Sequence, residues 1–256
     1  MTESWTNDAA IAQWNATATR EAMEAGATDG DFSKRHLLNP TVLRMLGDVR
    51  GQRILDAGCG TGYFSRILAE YGAHVTGVEP TEAMCTFARE REAALKQGIT
   101  YAQADLTSPD TEEIPALSAA SYDAVVCNMV LMAIPDWKPA MRTCVRALRP
   151  GGLFVFSLVH PAFEQLSSTW RAHGEYRVRR YLEEYTIVGP AAADFHRPLS
   201  AYLNELAALG CRLRELAEPG LDPEVVRREA AAHPGIEACE RLPNFLIGCA
   251  EAPGTR

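Results

Sequence analysis

Residues 54–65, Ile-Leu-Asp-Ala-Gly-Cys-Gly-Thr-Gly-Tyr-Phe-Ser, constrain this chain more than any other stretch. Arg53-Ile54-Leu55 reads as a short buried strand that ends in Asp56. Glycines then follow at alternate positions: Gly58, Gly60 and Gly62. From Tyr63 the spacing turns helical, with Phe64, Ile67 and Leu68 on one face. Strand, glycine turn and helix together make the shape of a nucleotide-binding loop, because glycine allows positive φ and a close ligand approach. A dinucleotide fingerprint needs Gly-x-Gly-x-x-Gly, and Tyr63 stands where its third glycine would fall. A phosphate loop is excluded as well, since no Lys follows Gly62.

The rest of the chain supplies the scaffold for that loop. Strands read at about 53–56, 73–79, 99–102, 122–127 and 152–159. Helices read at about 62–71, 81–97 and 136–148, the second capped by Thr81. Such alternation predicts an α/β, doubly wound, Rossmann-like sheet, mostly parallel. Residues 5–26 read as one or two helices carrying Trp5, Ile11 and Trp14, with 27–33 a loop by composition. A further helix is expected to start at Asn39-Pro40 and to stop at Gly47. After residue 198 the reading is a helix at 199–209, a strand at 211–217, a short helix at 223–232 and a last strand at 244–250.

With 256 residues, 47% of them apolar, and no linker or repeat, one domain spanning 1–256 is expected. Within it, 1–39 forms an N-terminal helical cap and 161–198 an insertion after the fifth strand. The formal net charge of −8 argues against a phosphate-backbone substrate, so no nucleic acid partner is expected. The start of the chain lacks the layout of a signal peptide, and no apolar run approaches the length of a membrane span. The expectation is a cytoplasmic protein without membrane association. Seven dispersed cysteines without a Cys-x-x-Cys pair read as reduced thiols, and no metal site is expected.

The pattern Asp56-x-Gly58-x-Gly60-x-Gly62 resembles motif I of the class I S-adenosylmethionine-dependent methyltransferases, and four later motifs agree with it in order. They are Val75-Thr76-Gly77-Val78-Glu79, Ile99 to Leu106, Tyr122 to Leu131, and Leu148-Arg149-Pro150-Gly151-Gly152. The resemblance covers roughly residues 40–250 and implies a seven-stranded sheet with an antiparallel last strand. It implies S-adenosyl-L-methionine as cofactor. Gly58, Cys59, Gly60 and Gly62 would pass under its methionine part, with Asp56 orienting the amino group. Glu79, followed by Pro80, would bind the ribose diol. Asp105 and Leu106 would meet the adenine, and Asn128 and Met129 would lie near the methionine end. Where many relatives carry a His, this chain has Met132, so no catalytic residue transfers from the family there.

The acceptor side rests on the residues themselves. His160, directly after the fifth strand, and His196, before the next helix, are the candidate bases. Residues 161–198 hold six aromatics: Phe163, Trp170, Tyr176, Tyr181, Tyr185 and Phe195. The tyrosines recur at intervals that would suit one helical face, and the segment reads as a substrate lid. Met132, Phe163, Trp170, Tyr176, Tyr181, Tyr185 and Arg197 are its expected pocket residues. Together these features predict methyl transfer to an O, N or activated C atom of a small molecule, in the style of secondary metabolism. The alternatives are a modifier of tRNA or protein and a fold that binds the cofactor but runs another reaction, such as a cyclisation. For oligomeric state there is only the general commonness of homodimers.

Overall fold

The computed structural model describes residues 5–189 and 192–254. Residues 1–4 of the expected cap, residues 190 and 191 of the expected insertion, and residues 255 and 256 lie outside the described residues.

The cap forms two helices, each opened by a threonine hydroxyl. In α1 (Asn7–Thr17) the Thr6 side chain accepts from the Ala9 N–H, and in α2 (Arg20–Ala25) Thr19 does the same for Ala22. The next helix begins earlier than the sequence suggests. Phe32 and Ser33 are already helical, and a turn of π-helix at Lys34–Leu38 runs straight into α3 (Asn39–Leu46). Pro40 therefore sits inside a helix rather than at its start. Having no N–H, it cannot donate to the preceding turn. The wide turn before it, in which the Asn39 N–H reaches the Lys34 carbonyl, accommodates that loss. Gly47, at φ 71°, ends α3 as expected.

Strand and helix then alternate: β1 (Arg53–Ala57), α4 (Tyr63–Glu70), β2 (His74–Glu79), α5 (Glu82–Leu95), β3 (Thr100–Gln103), β4 (Tyr122–Asn128), α6 (Lys138–Ala147) and β5 (Leu148–Val159). The insertion contributes α7 (Leu166–His173) and the strands β6 (Tyr185–Val188) and β7 (Ala193–His196). The chain closes with α8 (Leu199–Ala208), β8 (Arg212–Ala217), α9 (Pro223–Glu229) and β9 (Phe245–Glu251).

Seven strands form one sheet in the order β3-β2-β1-β4-β5-β9-β8, and β6 pairs antiparallel with β7 apart from it. All the pairings from β3 to β5 are parallel, while β9 runs antiparallel to both β5 and β8. The fold is thus the α/β, doubly wound, Rossmann-like sheet with an antiparallel last strand. Asp56 on β1 pairs with Gly77 on one side and Val126 on the other, so β1 is the strand at which chain order reverses. Ligands of open α/β sheets bind beyond the strand ends at that point.

Residues from α3, α4 and α5 cover one face of the sheet, and residues from α6 and α8 cover the other. Phe64 and Leu68 of α4 are almost wholly buried, each stabilising the layer by about 1.5–3 kcal/mol. Two local expectations need correction. Thr81 occupies the residue before α5 but does not cap it, because its hydroxyl donates to Glu79 instead. Tyr176, Tyr181 and Tyr185 do not share a helical face: α7 ends at His173, and Tyr185 lies on a strand.

Candidate active site

One cavity of about 960 Å³ opens over the carboxyl ends of β1, β2 and β4. Its floor is the glycine loop after β1. Gly58 and Cys59 donate their N–H groups to the Val78 carbonyl (2.8 and 3.0 Å), which locks the loop onto β2. Gly58 has φ 76°, and a Cβ there would stand 2.5 Å from Val130 Cγ2, so only glycine fits. Gly60 differs in its surroundings. A Cβ on it would touch only Met84 Sδ, at 3.7 Å, and would project into the cavity wall where a ligand approaches.

Glu79 closes the loop from the next strand. Its Oε2 accepts from the Gly60 N–H (2.9 Å), and its Oε1 accepts from the Thr81 N–H and hydroxyl (2.9 and 2.8 Å). Burial pushes its carboxyl above the usual range, and those three donors oppose the rise. Three of its roughly four acceptor sites are thereby taken, and the one left open, on Oε2, can still receive a hydroxyl donor. Asp105 follows β3 and is held by the Thr107 N–H and hydroxyl, with Leu106 beside it in the wall. Asn128 donates to the Tyr63 hydroxyl (2.9 Å) and accepts from Ser157. Met129, in the left-handed region at φ 62°, takes the Ser157 hydroxyl and carbonyl oxygens on its N–H. Gly58, Cys59, Gly60, Glu79, Pro80, Asp105, Leu106, Asn128 and Met129 all border the cavity. Asp56 and Gly62 do not. Asp56 lies beneath the loop, accepting from the Ser65 hydroxyl (2.6 Å), with burial pushing its carboxyl up to about 6. It braces the first turn of α4 rather than facing a ligand. Burial likewise raises the Cys59 thiol well above its usual value, so Cys59 lines the floor as an uncharged group.

The roof comes from parts distant in sequence. Helix α1 is pinned at both ends and along its side: Asn7 bonds Thr107 and Asp136, Asn15 accepts from Ala83, and Gln13 accepts from Ala193 on β7. Trp5, just before it, meets Phe195 edge to face. Ala10, Ile11 and Trp14 thereby face the cavity. Opposite them stand Met132, Ile134, Ile187, Phe195 and Tyr202.

Neither candidate base borders the cavity. His160 Nδ1 accepts from the Ala162 N–H (3.1 Å), and Nε2 bonds Glu218 (2.7 Å), so the ring is spent on fixing the chain after β5. His196 bonds Glu164 through Nδ1 (2.6 Å) and the Tyr181 carbonyl through Nε2 (2.9 Å), and it stacks on Tyr185. The geometry leaves neither ring a free nitrogen for a substrate. Of the expected pocket residues, Met132 and Arg197 reach the cavity. Arg197 keeps its charge without an ion-pair partner among the described residues, but four of its N–H donors are spent on the carbonyls of Leu131, Ile134, Pro135 and Phe195. Phe163 and Trp170 pack on the core, and the Tyr176 hydroxyl holds the Glu164 carbonyl. Tyr185 donates to the Glu164 carboxylate, and the Tyr181 hydroxyl accepts from Leu199. Their role is to build the hairpin. The sequence reading missed Ile11, Trp14, Glu164, Asp194 and Tyr202, all of which border the cavity. Ile11 and Trp14 were legible as one helical face. Asp194 lay between apolar Ala193 and Phe195 in a strand-like alternation.

Among the described residues, no group of His, Cys, Asp and Glu is placed to hold a metal, and no helix is long and apolar enough to cross a membrane.

Residues 55–156 match the family model of a methyltransferase domain. A ubiquinone biosynthesis O-methyltransferase of Idiomarina loihiensis is 36% identical over 136 residues, 52% of this chain and 54% of the relative. One from Alkalilimnicola ehrlichii is 31% identical over 60% of each chain. The chain therefore spans little more than half the length of these curated relatives. Among solved structures, an S-adenosylmethionine-dependent methyltransferase from Mesorhizobium loti superimposes with a TM-score of 0.67 at 31% identity, covering 83% of this chain and 96% of the other. A [4+2]-cyclase superimposes with a TM-score of 0.65 at 18% identity, a likeness of fold alone. The glycine loop, the acid ending β2 and the strand order agree with these matches: the chain belongs to the class I S-adenosylmethionine-dependent methyltransferases.

Proposed function

We propose that this protein transfers a methyl group from S-adenosylmethionine to an oxygen or nitrogen atom of a small, largely apolar molecule. One observation carries the reading. The glycine-loop floor and the apolar compartment under α1 and the β6–β7 hairpin belong to a single cavity of about 960 Å³. That is ample for a cofactor and a small acceptor together. The O-methyltransferase names of the curated relatives support a small-molecule acceptor.

The donor half fits the cofactor. Glu79 would hold a ribose hydroxyl, Asp105 and Leu106 the adenine, and Gly60, having no Cβ, would leave room on the loop for the ligand. Bound there, S-adenosylmethionine supplies a methyl already activated by a cationic sulfur. What the protein would add is position: the compartment bounded by Trp14, Met132, Phe195 and Tyr202 would hold an acceptor in line with the methyl. The test is incubation with methyl-labelled S-adenosylmethionine and a bacterial extract, followed by fractionation. Label in the small-molecule fraction supports the reading, and label in RNA or protein, or none transferred, contradicts it.

A further inference from the structure

The acceptor half of the cavity contains one carboxylate with nothing to balance it. Five acids border the cavity: Asp31, Glu79, Asp105, Glu164 and Asp194. Asp31 is paired with Lys34 at 3.4 Å. Glu79 and Asp105 take N–H and hydroxyl donors on the cofactor side. Glu164 is committed on both oxygens, to His196 and to the Tyr185 hydroxyl. Asp194 alone has no hydrogen-bond or ion-pair partner among the described residues. It stands opposite Ile187 across the hairpin, and both line the cavity. No hydrogen bond or ion pair joins it to Arg197, three residues on, whose Nη1 and Nη2 are bonded to backbone carbonyls.

A half-buried carboxylate without a partner is costly to keep. Burial, with Glu164 nearby, pushes the Asp194 carboxyl up to about 6. The titratable groups around it are Glu164 on the loop after β5, Tyr185 on β6, His196 and Arg197 beyond it on its own strand and exit, and Tyr202 on α8. None of them supplies it with a proton. A ligand can.

We infer that Asp194 selects the acceptor: the compartment takes an apolar molecule whose hydroxyl or ammonium group donates a hydrogen bond to Asp194, and it rejects molecules that place a carboxylate or phosphate there. The inference rests on the methyltransferase reading and names the chemistry of its acceptor. Aromatic walls from Trp14, Phe195 and Tyr202 suit a flat ring carrying that group.

Three probes that share a naphthalene ring system separate the possibilities: 2-naphthylmethylamine, 2-naphthylmethanol and 2-naphthoate. Each is titrated calorimetrically at pH 7.5 into protein saturated with S-adenosylhomocysteine, the demethylated product. The amine and the alcohol should bind about tenfold or more tightly than the carboxylate, the worth of one hydrogen bond to a charged group. Asp194→Asn should shrink the advantage of the amine to about threefold or less. Equal or tighter binding of the carboxylate, absence of binding by both donors, or an unchanged ratio in Asp194→Asn overturns the inference. The probe ranking on the unaltered protein stands even if that variant fails to fold. Failure to bind S-adenosylhomocysteine at all would instead strike the methyltransferase reading, so the two failures are distinguishable.

Discussion

Replacing Glu79 by Gln changes one oxygen for an NH2 group and leaves the shape alone. In the structure Oε1 accepts two hydrogens from Thr81 and Oε2 accepts one from Gly60. Either orientation of a glutamine therefore sets an NH2 group against a backbone N–H. If the amide oxygen keeps Thr81, the NH2 faces Gly60 and pushes the loop away from β2. A ribose hydroxyl that donates to Oε2 of Glu79 would also lose its acceptor. Counting only one hydrogen bond to a charged group, the loss is about 1.5–3 kcal/mol. That corresponds to a dissociation constant for S-adenosylhomocysteine raised by about 10- to 150-fold. The assay is calorimetric titration beside a thermal melt, to show that the variant folds. An affinity within threefold of the unaltered protein would refute the reasoning.

Other substitutions test other parts of the frame. Gly58→Ala forces a Cβ to within 2.5 Å of Val130 at positive φ. Backbone strain of about 1–2 kcal/mol and overpacking of about 1–3 kcal/mol should lower the melting temperature, and adding Val130→Ala should recover the packing part only. Arg197→Ala leaves the part-buried carbonyls of Ile134 and Pro135 without their donor and should lower the melting temperature, and Arg197→Lys should restore only part of it, because one ammonium replaces Nη2 but not the Nη1 bonds to Leu131 and Phe195. For Asp194 the folded value of about 6 lies above the usual 3.8, so ionisation opposes folding. The penalty is absent below about 4, grows between the two values and is complete above 6. Asp194→Asn should thus raise the melting temperature at pH 7.5 and leave it nearly unchanged at pH 4.

The donor half of the site was legible because each part sits at the end of a strand and follows the last in chain order. Gly58, Gly60, Glu79 and Asp105 need no tertiary knowledge beyond a parallel sheet, and the sheet itself is written in the alternation of apolar runs and helical spacing. The acceptor half has no such order. Trp14, Asp194, Phe195 and Tyr202 come from α1, a hairpin and α8, brought together by long-range bonds such as Gln13 to Ala193 and Asn7 to Asp136. Aromatic density in 161–198 pointed to the right segment but to the wrong side chains. Trp170 packs on the core, and Tyr176 and Tyr185 spend their hydroxyls on Glu164. His160 sat at the right height on the sheet, yet Glu218 and the Ala162 N–H claim its ring. Composition cannot reveal such commitments, because the partners are 58 and two residues away.

The central claim is that donor and acceptor share the one cavity, with the glycine loop at one end and Asp194 in the other compartment. A crystal structure with S-adenosylhomocysteine tests it most directly. The account predicts adenine beside Asp105 and Leu106, a ribose hydroxyl on Glu79 Oε2, and the sulfur facing the compartment of Trp14, Met132, Asp194 and Phe195. A ligand seated elsewhere, or a sulfur turned away from that compartment, would contradict it.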